Sequence, residues 1–222
     1  MKNLLLLIIL FSLSMPSVAQ SIAIDKEVRM LALGDSYTIG ESVKPDQRWP
    51  HQFVSALRSK GLEAMNPDYI AVTGWTTADL LNGINRDLDR NKTYNLVSVL
   101  IGVNNQYQGI DINIYEPELR QIIDHALDLV EQDTNRVFLL SIPDYAFTPF
   151  GKGDPGISRE LDAYNKINKR VAREKGLAWV DITPISRKGL DKPALVAKDG
   201  LHPSGKQYGE WITEILSGLL DY

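Results

Sequence analysis

Three residues near the two ends of the chain have the types and spacing for nucleophilic catalysis. Ser36 lies in Gly34-Asp35-Ser36, and Asp199 and His202 lie in Asp199-Gly200-Leu201-His202. A serine hydroxyl is a poor nucleophile until a neutral imidazole takes its proton. The imidazole in turn needs a carboxylate to fix its tautomer and stabilise its charged form. Asp199 and His202 are three positions apart, so a tight turn lets the carboxylate reach the near ring nitrogen and leaves the far one free. Ser36 directly follows the apolar run Val28 to Leu33, where a strand would deliver it to a sheet edge. A nucleophile early, with acid and base late and adjacent, predicts a hydrolase.

Gly34-Asp35-Ser36 alone is ordinary turn chemistry, and its weight comes from its company. Gly74 follows the second apolar run in Val72-Thr73-Gly74-Trp75, and Asn104 follows the third in Gly102-Val103-Asn104-Asn105. Attack on an ester carbonyl places negative charge on oxygen, and donors held ready in a site with little water stabilise it. A glycine at a strand end lets the backbone approach closely, and an asparagine amide at the next strand end donates from the neighbouring side. Trp75 and Tyr107 flank these positions, either as core filling or as walls of an acyl or sugar pocket. Asp35 is expected to accept a turn-stabilising hydrogen bond. His51 sits at a helix start and His125 on an outward helix face, whereas His202 has the close upstream carboxylate.

Composition narrows the classes. A chain of 222 residues with 44% hydrophobic residues can bury one sizeable core and is most simply one domain. The formal net charge of -4, with no Lys/Arg-rich run, offers nothing to attract nucleic acid. The absence of cysteine excludes disulfides, a thiol nucleophile, thiolate metal sites and an N-terminal lipoprotein cysteine. Three scattered histidines supply no recognisable metal-ligand spacing. Neither a dinucleotide fingerprint nor a P-loop occurs. No metal and no cofactor are expected, which weighs against a nucleotide or flavin binder.

Residues 1–19 read as an export signal. Lys2 gives the positive start, Leu4 to Leu13 is apolar except for Ser12, and Ser17-Val18-Ala19 precedes an expected cut ahead of Gln20. The run is short for a spanning helix. Cleavage removes Lys2 and leaves 23 basic against 28 acidic residues. A periplasmic or secreted protein with no stable membrane anchor is the expectation, with residues 20–222 forming the domain. Oligomeric state is not legible.

The elements that must position these residues alternate. Val28-Leu33, Tyr69-Val72, Leu96-Ile101, Val137-Ser141 and Ala178-Val180 are short apolar runs bounded by turn signals and predict strands. Between them run helical periodicities: Trp49 to Gly61; Leu80 to Leu88 after a cap at Thr77; Leu119 to Val130 opened by Pro117; Ser158 to Lys175; and Ser204 to Leu220. Strands apolar on both faces, each followed by a helix, predict a three-layer α/β/α sandwich with a five-stranded parallel sheet. Ligands bind beyond the carboxyl ends of such strands, where every polar block above falls. The loop from Ile142 to Ile157, with Tyr145, Phe147 and Phe150, is read either as a surface connection capping the core or as a pocket wall.

The four blocks, in this order from about Met30 to Tyr208, resemble the SGNH (GDSL) hydrolase family of esterases and lipases. The resemblance implies Ser36 as nucleophile and His202 as general base oriented by Asp199. It implies an oxyanion hole from the Ser36 amide, the Gly74 amide and the Asn104 side chain, on a flavodoxin-like sandwich. Two positions depart from the family pattern: Tyr37 replaces the usual aliphatic residue after Gly-Asp-Ser, and Asn105 stands where the third block often has Asp. The activity implied is hydrolysis of carboxylic esters, with short-acyl or acetylated carbohydrate esters favoured. A lysophospholipase or thioesterase of the same fold, or a carbohydrate-binding relative without chemistry, are the alternatives.

Overall fold

The structure is a computed structural model describing residues 21–218; the export signal expected at residues 1–19 and the end expected for the last helix, at Leu220, lie outside the described residues. Among the described residues seven strands form: β1 (Glu27–Val28), β2 (Met30–Gly34), β3 (Glu63–Ala64), β4 (Asp68–Ala71), β5 (Leu96–Leu100), β6 (Val137–Leu140) and β7 (Ala178–Val180). Five make one sheet in the order β4-β2-β5-β6-β7, and all its pairs are parallel. Every residue of β2, β5 and β6 is buried, which is why these strands read as apolar runs, interrupted only by Ser98, instead of alternating.

The first expected strand divides. Val28 pairs with Ala64 in a separate two-stranded ladder of β1 and β3, and Met30 enters the main sheet opposite Leu96. Arg29 is the break, its amide donating to Asn95 Oδ1 at 2.8 Å. A side-chain acceptor there substitutes for a ladder partner, and periodicity cannot register that exchange.

The described residues also form eight α-helices: α1 (Ser36–Ile39), α2 (Trp49–Ser59), α3 (Thr77–Asp87), α4 (Val103–Tyr107), α5 (Ile112–Asp128), α6 (Pro155–Lys175), α7 (Thr183–Ser186) and α8 (Gly205–Ser217). Helix α2 packs against α8, while α3, α5 and α6 pack in series, giving the two helical layers. Between α2 and the sheet, Trp49 and Phe53 both meet Phe138, with ring centroids 6.4 and 6.2 Å apart; all three are fully buried.

Three helix starts move from their expected places. Thr76, not Thr77, caps α3, in a reciprocal capping box with Asp79. Helix α6 begins at Pro155 under an Asp154 cap, shortening the expected loop. Helix α5 begins at Ile112 under an Asp111 cap and carries Pro117 inside it. Burial of Tyr115 rewards the extra turn and outweighs the hydrogen bond that the proline removes.

The first crossover runs from β2 outward to β4, and all later ones run the other way from β5. The crevice at this reversal, outside the carboxyl ends of β2 and β5, is where ligands bind in such sheets. Ser36 follows β2 and Asn104 follows β5, so both expected groups stand at its rim.

Candidate active site

The arm expected to carry the nucleophile begins at Gly34, which closes β2. A Cβ there would lie 2.2 Å from Thr38 Oγ1 and 2.4 Å from the Leu100 carbonyl, so no side chain fits. Asp35 then caps α1, its Oδ1 accepting the Tyr37 amide at 2.9 Å. Burial pushes the Asp35 carboxyl up to about 7 despite that bond. Asp35 thus has the turn-stabilising role expected of it. Ser36 opens the helix, nearly buried, and as a first-turn residue its amide has no intrahelical acceptor.

The arm expected to supply acid and base is a single turn. Asp199 Oδ1 accepts the Leu201 and His202 amides at 2.9 and 3.0 Å. Asp199 Oδ2 lies 2.6 Å from His202 Nδ1 and accepts the Ser42 hydroxyl at 2.6 Å. Burial would raise this carboxyl, but the bonds from Ser42, the two amides and the imidazole outweigh it and hold it down at about 2. An ionised Asp199 is an acceptor only, so Nδ1 carries the donated proton and Nε2 is left as the basic nitrogen. The Tyr37 ring packs edgewise on the imidazole, with centroids 5.7 Å apart.

The third arm carries the expected oxyanion donors. Gly74 has φ +85°, a conformation that favours glycine, and its carbonyl accepts Gln108 Nε2 at 3.1 Å. Asn104 Nδ2 donates one hydrogen to the Trp75 carbonyl at 3.0 Å. That bond fixes which end of the amide is nitrogen and leaves the second N–H free. Asn105, the departure from the family pattern, is buried. Its Oδ1 accepts the Thr77 amide at 3.0 Å and its Nδ2 donates to the Thr77 hydroxyl at 2.7 Å. Both ends of this amide tie α4 to α3, so Asn105 supports the loop that carries Asn104.

Ser36, Gly74, Asn104 and His202 all line one cavity of about 250 Å³, with Asp199 behind the imidazole. Its other wall is Tyr37, Thr73, Val103, Tyr107, Tyr145, Phe150 and Leu201. No hydrogen bond joins the Ser36 and His202 side chains here; such bonds often tighten only when substrate arrives. Tyr107 therefore stands in the pocket, whereas the Trp75 ring covers Gly83 of α3, where a Cβ would lie 2.4 Å from it. The loop after β6 contributes Tyr145 and Phe150. His51 is elsewhere, with its Nδ1 2.6 Å from the Tyr69 hydroxyl. Sequence reasoning missed Ser42 and Thr73; for Ser42 the signal would have been a polar residue two positions past a helix-ending glycine.

Comparison with known proteins agrees with this architecture. The GDSL-like Lipase/Acylhydrolase family matches residues 32–209. An arylesterase from Vibrio mimicus is 26% identical over 221 residues, 98% of this chain and 96% of its own length. The crystal structure of an acetylxylan esterase from Geobacillus stearothermophilus superposes with a TM-score of 0.68 at 22% identity, covering 88% of this chain and 95% of that one. The chain belongs to the GDSL-like lipase/acylhydrolase family. It is a carboxylic ester hydrolase of the SGNH fold.

Proposed function

We propose that the chain hydrolyses esters through a Ser36-His202-Asp199 triad. Ser36 Oγ attacks the ester carbonyl carbon while its proton passes to His202 Nε2. The carbonyl oxygen becomes an oxyanion that accepts hydrogen bonds from the Ser36 amide, the Gly74 amide and the free Asn104 Nδ2 hydrogen. Collapse breaks the bond to the alcohol oxygen, which takes the proton from His202. Water then attacks the acyl-serine by the same route, giving the carboxylic acid and restoring Ser36.

The observation that carries this reading is the convergence of Ser36, Gly74, Asn104 and His202 on one cavity, with Asp199 bonded to the far side of the imidazole. The structurally similar acetylxylan esterase lends support. Its catalytic mutants replace a serine, an aspartate and a histidine, the last two three positions apart. Short-acyl esters, including acetylated sugars and aryl esters, are the proposed substrates. A cavity of about 250 Å³ falls below the usual range for sites that enclose a large ligand. Export through residues 1–19 places the enzyme in the periplasm or medium, and mass spectrometry of exported protein should find Gln20 at its N-terminus.

The deciding experiment pairs Ser36→Ala with a phosphonate ester. The wild type should be labelled at Ser36, and the folded variant should lose on the order of 10⁴-fold in kcat. Wild-type activity in folded Ser36→Ala protein would rule out the mechanism.

A further inference from the structure

The residues directly after α1 touch all three arms of the site. Gly40 ends the helix, and the Gly40 and Glu41 amides both donate to the Ser36 carbonyl at 3.0 Å. The Glu41 carboxylate accepts the hydroxyl of Thr73, the neighbour of Gly74 and itself on the cavity wall. Ser42 donates to Asp199 Oδ2 at 2.6 Å, the same oxygen that holds the imidazole. Two consecutive residues thus join the nucleophile, the oxyanion-hole loop and the acid–base turn, which come from opposite ends of the chain.

Ser42 also has φ +64°. This left-handed conformation is unfavourable for a residue with a Cβ and free for glycine. Serine is therefore held here against its backbone preference, and the bond to Asp199 offsets that strain. The side chain is exposed, so its hydroxyl could equally be solvated by water, and no core packing explains its position. Strain of this kind at a functional site points to a constraint set by the site.

We propose that Glu41 and Ser42 are positioning residues. They yoke the donor loop and the acid–base turn to the nucleophile, setting the separation of Ser36 from His202 and from the Gly74 amide. The proposal rests on the Ser36 mechanism above. Neither side chain acts on the substrate; a loosened yoke lowers the fraction of complexes in attack geometry, and a misplacement of about 1 Å can cost on the order of 10²-fold in rate.

Ser42→Gly separates position from stability, because it deletes the hydroxyl while relieving the backbone. We expect kcat on a p-nitrophenyl short-acyl ester to fall by about tenfold, with KM within about twofold and Tm at or above wild type. Glu41→Ala should lower kcat by a similar factor. Glu41→Gln, which keeps an oxygen to accept from Thr73, should stay within about threefold of wild type. A kcat within about twofold of wild type in both Ser42→Gly and Glu41→Ala, while Ser36→Ala is inactive, overturns the yoke and spares the mechanism. A fall in kcat accompanied by lower Tm in Ser42→Gly overturns it as well. Activity in Ser36→Ala instead condemns the mechanism itself.

Discussion

The Tyr37 ring meets the His202 imidazole nearly edge-on, with 5.7 Å between centroids and 64° between planes. Tyr37 is the residue after Ser36, its amide is held by Asp35, and its carbonyl accepts the Tyr208 hydroxyl at 3.0 Å. The side chain that departs from the family's usual aliphatic residue is thus the one that braces His202, the proposed base, against the helix that carries Ser36.

That contact predicts a split between two variants. Tyr37→Phe keeps the ring and should hold kcat within about twofold. Tyr37→Leu removes the edge-on contact and leaves space beside the imidazole; kcat should fall about five- to twentyfold, with a stability loss of about 1–3 kcal/mol. Steady-state rates and thermal unfolding on the same preparations check both. Equal rates in the two variants would show that the ring merely fills the core.

Asn104→Ala should lower kcat by roughly 10²- to 10³-fold with little change in KM, because the donor acts on charge that appears only in the transition state. The Asn104 bond to the Trp75 carbonyl adds a modest stability term of about 1 kcal/mol. A rise in KM at constant kcat would make Asn104 a substrate-binding residue.

Asn105 makes a different prediction. Its Nδ2 donates to the Thr77 hydroxyl, and that hydroxyl donates onward to Glu118, so the chain of donors has one direction. Asn105→Asp, which restores the residue often found in the family, places an acceptor where a donor is needed. It should lower stability by about 1–3 kcal/mol, more than it alters kcat per folded molecule. Denaturant unfolding alongside active-site titration with the phosphonate checks this; an unchanged midpoint would reject the directional chain.

Much of the fold was legible because its strands are buried on both faces. Leu96 to Leu100 is apolar except Ser98, and such a run needs no partner to be recognised. The site was legible for a related reason: Ser36, Gly74 and Asn104 each follow a strand end, and the sheet alone brings them to one crevice. What escaped were exchanges between local preference and distant contacts. Pro117 looks like a helix opener, but buried Tyr115 and the Asp111 cap start the helix a turn and a half earlier. Arg29 breaks a strand only because Asn95 offers an acceptor. Ser42 carries only a faint sequence mark, a polar residue two positions past a helix-ending glycine, because its bond to Asp199 spans 157 positions.

Asp35 gives a pH signature in stability. Its folded carboxyl is raised from 3.8 to about 7 by burial, so the native state favours the protonated form. The contribution is fully present below pH 3.8 and is lost as pH rises through 7, leaving an ionised buried group above that. Asp199 and Glu116 are shifted the other way, to about 2, and are ionised in both states across pH 5–8. Asp35→Asn keeps an oxygen for the Tyr37 amide and abolishes the titration. Relative to wild type, the variant should therefore gain stability between pH 5 and pH 8, by about 1–3 kcal/mol. Unfolding midpoints of both proteins at each pH test it, and a pH-independent difference would mean that Asp35 is ionised throughout.

The cavity of about 250 Å³ beside Ser36 is walled by Val103, Tyr107, Tyr145, Phe150 and Leu201. Tyr107 and Phe150 are about half exposed, at 59% and 49%, while Tyr145 is buried and its hydroxyl donates to Gln106 at 2.9 Å. The three rings contact one another, with centroids 6.1 to 6.2 Å apart, so the wall is a packed aromatic cluster and not a flexible groove. A small acyl group fits against such a wall and leaves the alcohol side toward solvent. A long chain gains only about 0.8 kcal/mol for each methylene that it buries, and methylenes beyond the cavity remain in water. On p-nitrophenyl esters from two to sixteen carbons, kcat/KM should peak at four carbons or fewer and decline beyond about eight. Phe150→Ala should open the rim and move the maximum toward longer chains while leaving the acetyl ester within about threefold. Initial rates measured below micelle formation check the series. A maximum at twelve or more carbons in the wild type would replace the short-acyl reading with a lysophospholipase or long-chain thioesterase.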